Sequence, residues 1–106
     1  MTVFVVQEVY NKNLLPAKKF GSLRLMLPPG NIVLSAVPTV KRLWKALNSY
    51  TNKDYILLMG DPIAIALAGS IAAELNSGRV NYLKWDRQEN QYIPLETDIH
   101  RRSDEE

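Results

Sequence analysis

The sequence predicts an α/β fold: a single small domain with a mixed β-sheet of four to five strands and two helices, including one β-α-β unit and a C-terminal hairpin. Three observations predict it. Residues 55–95 read as an apolar strand, a Gly60-Asp61-Pro62 corner, an Ala-rich helix and then a strand pair, each boundary marked by a residue with a physical reason to be there. Residues 2–9 are rich in Val and Phe with little alternation, the pattern of a strand covered on both faces. The chain has 106 residues, 46% of them apolar, which suffices for one packed core and leaves no room for two. Residues 1–99 are assigned to the domain, and residues 100–106 are a polar tail expected to fray.

Taken in order, the first strand spans Thr2 to Val9, and residues 10–20 turn polar and basic as a loop. Leu23 to Leu27 is a second strand. Pro28-Pro29-Gly30-Asn31 has Pro and Gly where a type II turn wants them, and Ile32 to Leu34 continues the sheet or crosses its end. Helix one starts near Pro38-Thr39 with Thr39 as N-cap, and Val40, Leu43, Trp44 and Leu47 form its apolar stripe. Ser49 to Lys53 is a polar linker, and Tyr55 to Met59 a buried strand.

Helix two covers Pro62 to Asn76. Asp61 is its N-cap, Pro62 sits where a missing N–H costs nothing, and Gly78 stops it. Ile63, Leu67, Ile71 and Leu75 line one ridge, and much of the other side is small: Ala66, Gly69, Ser70, Ala72 and Ala73. So weakly polar a helix is either sandwiched in the fold or offers a flat face to a partner. Residues 79–85 and 91–96 form the closing hairpin, with Leu83 and Trp85 expected to share a face with Ile93 and Leu95. Tyr82, Lys84, Tyr92 and Pro94 are expected on the other face, and Pro94 marks a sheet edge.

Composition excludes several classes of function. The chain has no Cys, so disulfide frameworks, thiolate zinc sites and cysteine nucleophiles are out. MTVFVVQEVY has no basic n-region and reads as no export signal. Residues 55–75 are mostly apolar, but Gly60-Asp61-Pro62 interrupts them, so they read as two soluble elements and no membrane span. The charge is uneven along the chain. Residues 1–53 carry eight Lys and Arg against Glu8, a formal +7, while residues 54–106 carry five basic and ten acidic side chains, a formal −5. Such a dipolar chain can attract polyanions or pair its ends between copies, unless the halves intermingle on folding.

Three candidate sites follow. Gly60-Asp61 ends a strand and opens a helix, where open α/β folds place ligands, yet Asp61 serves its own helix as a cap and no phosphate-loop or dinucleotide motif accompanies it. Lys41, Arg42 and Lys45, extended by Lys18, Lys19 and Arg24 and by aromatics such as Tyr10, Phe20 or Tyr50, form a candidate nucleic-acid surface. Ala66, Gly69 and Ala73 on helix two, with Tyr82, Lys84 and Tyr92 on the hairpin, form a candidate protein interface. His100 lies in the tail without a second His or Cys, no Asp/Glu pair is placed for general acid–base work, and no cofactor motif is present.

The run YILLMGDPIAIALAGSIAAELNSGRVNYLKWDRQENQYIPLETDI, with VFVVQE, LMLPPG and the GDP corner, resembles small uncharacterised proteins of tailed bacteriophages, marine ones in particular. The resemblance covers residues 2–99 and brings no activity or catalytic residue with it. It implies a protein made in the cytoplasm of an infected bacterium. The leading expectation is therefore a non-enzymatic phage accessory protein that binds a protein partner or forms a homo-dimer. Nucleic-acid binding and small-ligand binding at Gly60-Asp61 stand as alternatives.

Overall fold

A computed structural model describes residues 1–32 and 35–101. Its strands are β1 (Thr2–Gln7), β2 (Ser22–Leu27), β3 (Tyr55–Leu57), β4 (Arg79–Asp86) and β5 (Gln91–Asp98), and its α-helices are α1 (Val37–Leu47) and α2 (Pro62–Leu75). A 3₁₀ helix, Leu15–Phe20, occupies part of the segment expected to be loop. The five strands form one sheet in the order β2-β1-β3-β4-β5. Neighbours among β1 to β4 run parallel, and β5 returns antiparallel to β4. The expected α/β class, the β-α-β unit and the C-terminal hairpin are all present, and the parallel crossovers number three.

Alternation along the strands divides the core into two layers. Phe4, Val6, Ile56 and Val80 pack under α1 and α2 with Leu43, Leu47, Ala64, Ala68, Ile71 and Ala72. Val3, Val5, Leu57, Leu83 and Tyr92 pack on the opposite face, under Ala17 of the 3₁₀ helix. Thus β1 is buried on both faces, as its run of unalternating apolar residues required.

Helix α1 begins at Val37, two residues before the expected cap. Pro38 lies in its first turn, where no N–H is needed, and the Ser35 hydroxyl accepts from the Val37 N–H at 3.2 Å. Thr39 is therefore inside the helix. In the expected stripe, Leu43 and Leu47 are buried but Trp44 remains 40% exposed, because α1 packs on β2 and α2 near one side of the sheet. Helix α2 is capped as expected: Asp61 Oδ1 accepts from the Ile63 N–H at 2.9 Å. At its other end Gly78 adopts φ +86°, and its N–H reaches the Ala73 carbonyl at 2.7 Å.

The apolar run at residues 55–75 is split between β3 and α2, and among the described residues no helix is long and apolar enough to cross a membrane. Gly30 has the positive φ expected of its turn, +132°. Ile32 lies outside the sheet, its N–H donating to Asp61 Oδ2 at 3.2 Å; Val33 and Leu34 lie outside the described residues.

Two further expectations are corrected. The hairpin pairs Leu83 with Pro94, Trp85 with Tyr92, Tyr82 with Leu95 and Lys84 with Ile93. Four residues close the turn between Asp86 and Gln91, so odd positions of β4 meet even positions of β5, one step from the expected register. The second correction concerns residues 49–53. They are a latch and not a loose linker: Tyr50 is buried, its hydroxyl accepting from the Asn81 N–H at 3.0 Å. Asp54, 6% exposed, accepts from the Thr2 N–H, the Thr51 N–H and the Thr51 hydroxyl at 2.8, 2.8 and 3.0 Å. A buried carboxylate holds only where donors replace its water, and these tie the starts of β1 and β3 together.

Candidate functional site

From β1 the chain turns to β2 on one side, then crosses back to place β3 on the other. The connection leaving β1 passes by the 3₁₀ helix over one face of the sheet, and the connection leaving β3 enters α2 over the opposite face. The two connections part at the carboxyl ends of β1 and β3, which opens a crevice there; this is the switch point at which open α/β sheets take ligands.

A cleft of about 700 Å³ lies at that position. Val9 and the segment Asn11–Asn13 line it from the end of β1, Leu58, Met59 and Gly60 from the end of β3, and Lys84, Trp85, Arg87 and Tyr92 from the hairpin. Asn11 takes φ +66°, a left-handed bend that Asn tolerates, and so reverses the segment over the cleft. Tyr92 is buried, and its hydroxyl donates to the Asn13 carbonyl at 3.3 Å, fixing that segment to the hairpin. Burial raises the Tyr92 phenol above its ordinary pKa of 10. Trp85 meets Tyr92 edge-on, with ring centroids 4.9 Å apart and planes at 72°, so at least one face of its indole is left uncovered by Tyr92.

The charged side chains lining the cleft, Lys12, Lys84 and Arg87, are all positive, and none is ion-paired to another described residue. Among the described residues, no acid, histidine, serine or threonine lines it. The arrangement suits holding an anion beside an apolar or aromatic surface. The one hydroxyl among the described lining residues, that of Tyr92, is engaged with the Asn13 carbonyl.

Gly60 and Asp61, the expected ligand corner, divide their roles. Gly60 lines the cleft at φ +120°, and a Cβ there would collide with the Cβ of Gln7. Asp61 accepts within the fold with both carboxylate oxygens, from the Ile63 and Ile32 N–H groups, and is not among the residues lining the cleft. The residue that sequence reading missed is Gln7. It is 5% exposed; its Oε1 accepts from the Asp61 N–H at 2.7 Å, and its Nε2 donates to the carbonyls of Pro28, at 2.9 Å, and Gly30. Gln7 thereby joins β1, the β2–α1 loop and the α2 cap. A polar residue ending an apolar strand was the available signal.

The expected protein interface is dispersed by the fold. Gly69 is buried beneath Tyr82, whose hydroxyl lies 2.6 Å from where a Gly69 Cβ would be. The small residues Ala64, Ala68, Gly69 and Ala72 face the interior, and Ile63 and Leu75 of the expected ridge are exposed. Small side chains let α2 lie close on the sheet. Ala66 and Lys84 are exposed, Ala73 and Tyr82 half-buried, and Tyr92 is core.

On the basic side, Lys41, Arg42 and Lys45 are exposed on α1, with Trp44 partly exposed among them. Arg24 stands over the Phe4 ring at 5.8 Å on the same face of the sheet. Lys18 and Lys19 ride on the 3₁₀ helix over the opposite face, where Lys19 covers Phe20 at 5.2 Å, so they do not extend the α1 patch. Of the aromatics considered for stacking, Tyr50 is core, Phe20 packs edge-on against Tyr55 and Tyr10 is exposed. In the sheet, β2 and β1, from residues 1–53, lie to one side of β3, β4 and β5, but the two halves also meet, where α1 packs on α2 and where Asn13 accepts from Tyr92.

Four parallel strands with an antiparallel fifth, helical connections over both faces and a crevice at the switch point define a small doubly wound α/β protein. Within that class, the model of the Phage Pam3 gp32-like protein family matches residues 1–99, and the chain belongs to that family. The resemblance to phage proteins read from the sequence is borne out. Comparisons with curated proteins and with solved structures return no match.

Proposed function

We propose that this phage protein is a non-enzymatic accessory protein that binds a small anionic ligand in the switch-point cleft. The observation that carries the reading is the convergence of Lys12, Lys84 and Arg87 on a cavity of about 700 Å³ whose described lining includes no acidic side chain. Small-ligand sites typically span about 300–1,000 Å³, mostly apolar with a few convergent polar groups. Val9, Leu58, Met59 and Trp85 supply the apolar part here. Among the described residues the lining has no carboxylate, and its one hydroxyl, on Tyr92, is engaged with the Asn13 carbonyl, which favours binding over turnover. A protein interface on α2 and the hairpin is less well supported, since Gly69 and Tyr92 are interior.

Thermal denaturation against a panel of phosphorylated, carboxylated and neutral metabolites at low salt tests the reading. An anion present at 100 times its Kd adds about 2.7 kcal/mol, which in a domain of this size raises the melting temperature by about 10 °C or more. The rise should vanish in a Lys12→Gln, Arg87→Gln double variant. No rise with any anion, or a rise that survives the double variant, refutes it.

A second reading, single-stranded nucleic acid on α1, is favoured by Trp44 lying among Lys41, Arg42 and Lys45. It requires oligonucleotide affinity that falls steeply with salt and is lost in Lys41→Glu, Lys45→Glu; salt-independent affinity removes it.

A further inference from the structure

We propose that the ligand of the cleft is a mononucleotide, its base stacked on Trp85 and its phosphate held by Lys12 and Arg87; the assignment rests on the reading of the cleft as an anion site. Two independent features of the lining specify such a ligand. The first is charge: a phosphate monoester carries about −1.5 to −2 at neutral pH, and the cleft presents three cations, none ion-paired to another described residue. Inorganic phosphate would satisfy that feature alone.

The second feature is the ring. Trp85 is 38% exposed at the end of a strand, with its indole braced by Tyr92 and one face uncovered by that contact. Tyr92 is in turn fixed by its bond to Asn13. A braced, half-exposed indole loses little freedom when a second ring stacks on it, which is how aromatic platforms hold bases. Leu58 and Met59 extend the apolar wall from the end of β3. A small hydrated anion makes no use of this surface, whereas a planar heterocycle does. The cavity of about 700 Å³ takes a nucleotide and leaves the ligand partly open to solvent.

Calorimetric titration of the full chain with AMP, adenosine, ribose 5-phosphate and inorganic phosphate tests the assignment. The expected order has AMP at least about tenfold tighter than either half, because each half keeps one set of contacts. Trp85→Leu should bring AMP down to the affinity of ribose 5-phosphate, and Trp85→Phe should restore most of the difference. Arg87→Gln, an exposed position, should bring AMP towards the affinity of adenosine. In a Trp44→Phe background the remaining indole fluorescence should be quenched by AMP and not by ribose 5-phosphate.

AMP binding no tighter than ribose 5-phosphate overturns the nucleotide assignment and leaves the anion site standing. Failure of every anion, in this set and in the metabolite panel, overturns both. A ten-residue oligothymidylate that binds tighter than AMP, survives Trp85→Leu and is lost in Lys41→Glu, Lys45→Glu also overturns the assignment, placing recognition on α1. Should Trp85→Leu fail to fold, the order of the four ligands on the native chain and the Arg87→Gln titration still decide.

Discussion

Gln7→Leu tests the part of the fold that shapes the cleft. Leucine nearly matches glutamine in size, so little cavity forms, but three hydrogen bonds disappear: those to Asp61 N–H, Pro28 O and Gly30 O. Each is worth about 1 kcal/mol net, and more where the orphaned partner stays dry. The expected loss is about 3 kcal/mol, a large fraction of the roughly 5–15 kcal/mol that holds a typical domain. In a domain of this size that corresponds to a melting temperature lower by about 12–24 °C. Urea unfolding followed by far-ultraviolet circular dichroism measures it, and an unchanged denaturant slope confirms that the same surface is exposed on unfolding. A loss below about 1 kcal/mol with an unchanged slope would refute the argument that Gln7 holds this corner.

Three further outcomes follow from named contacts. Burial raises the Tyr50 phenol from its ordinary 10 to about 12, the Asn81 N–H opposing the rise, so the folded state favours the neutral form. That contribution is fully present below pH 10 and is lost as pH rises from 10 towards 12. Stability should therefore fall over this range in the native chain, and the fall should shrink in Tyr50→Phe. Gly60→Ala combines a positive φ with a collision on the Gln7 Cβ, and should cost about 2–4 kcal/mol in urea unfolding; a neutral substitution would contradict the close approach. Ala66→Arg, on an exposed position, should change stability by no more than about 0.5 kcal/mol. Gly69→Val should cost at least about 2 kcal/mol as it collides with Tyr82, and equal effects at the two sites would contradict the burial pattern.

How far the sequence could be read depended on the range of the interaction involved. The Asp61 cap, the Gly78 stop, the double burial of β1 and the positive φ of Gly30 were legible because each rests on neighbours within a few residues. The inward face of α2 was not legible. A helix with apolar residues on most sides has no preferred orientation of its own, and the sheet chose the side that could come closest, where Gly69 admits the Tyr82 hydroxyl. Gln7 was passed over because its three partners lie at Asp61, Pro28 and Gly30, remote in the chain. The cleft was half legible: Gly60 marked the end of a strand, but Lys12 and Arg87 stand 75 positions apart in the sequence and meet only through the sheet order.

By itself, then, the sequence determined the class of the fold, the positions of its main elements and its membership of a phage family over residues 1–99. Hydrophobic period, capping residues and Gly or Pro at turns act locally, so they are written in order along the chain. The tertiary structure alone decided which faces are interior, which hairpin residues pair and which cations share a cavity. Those outcomes depend on strand order and register, which arise from contacts between distant segments competing for one core.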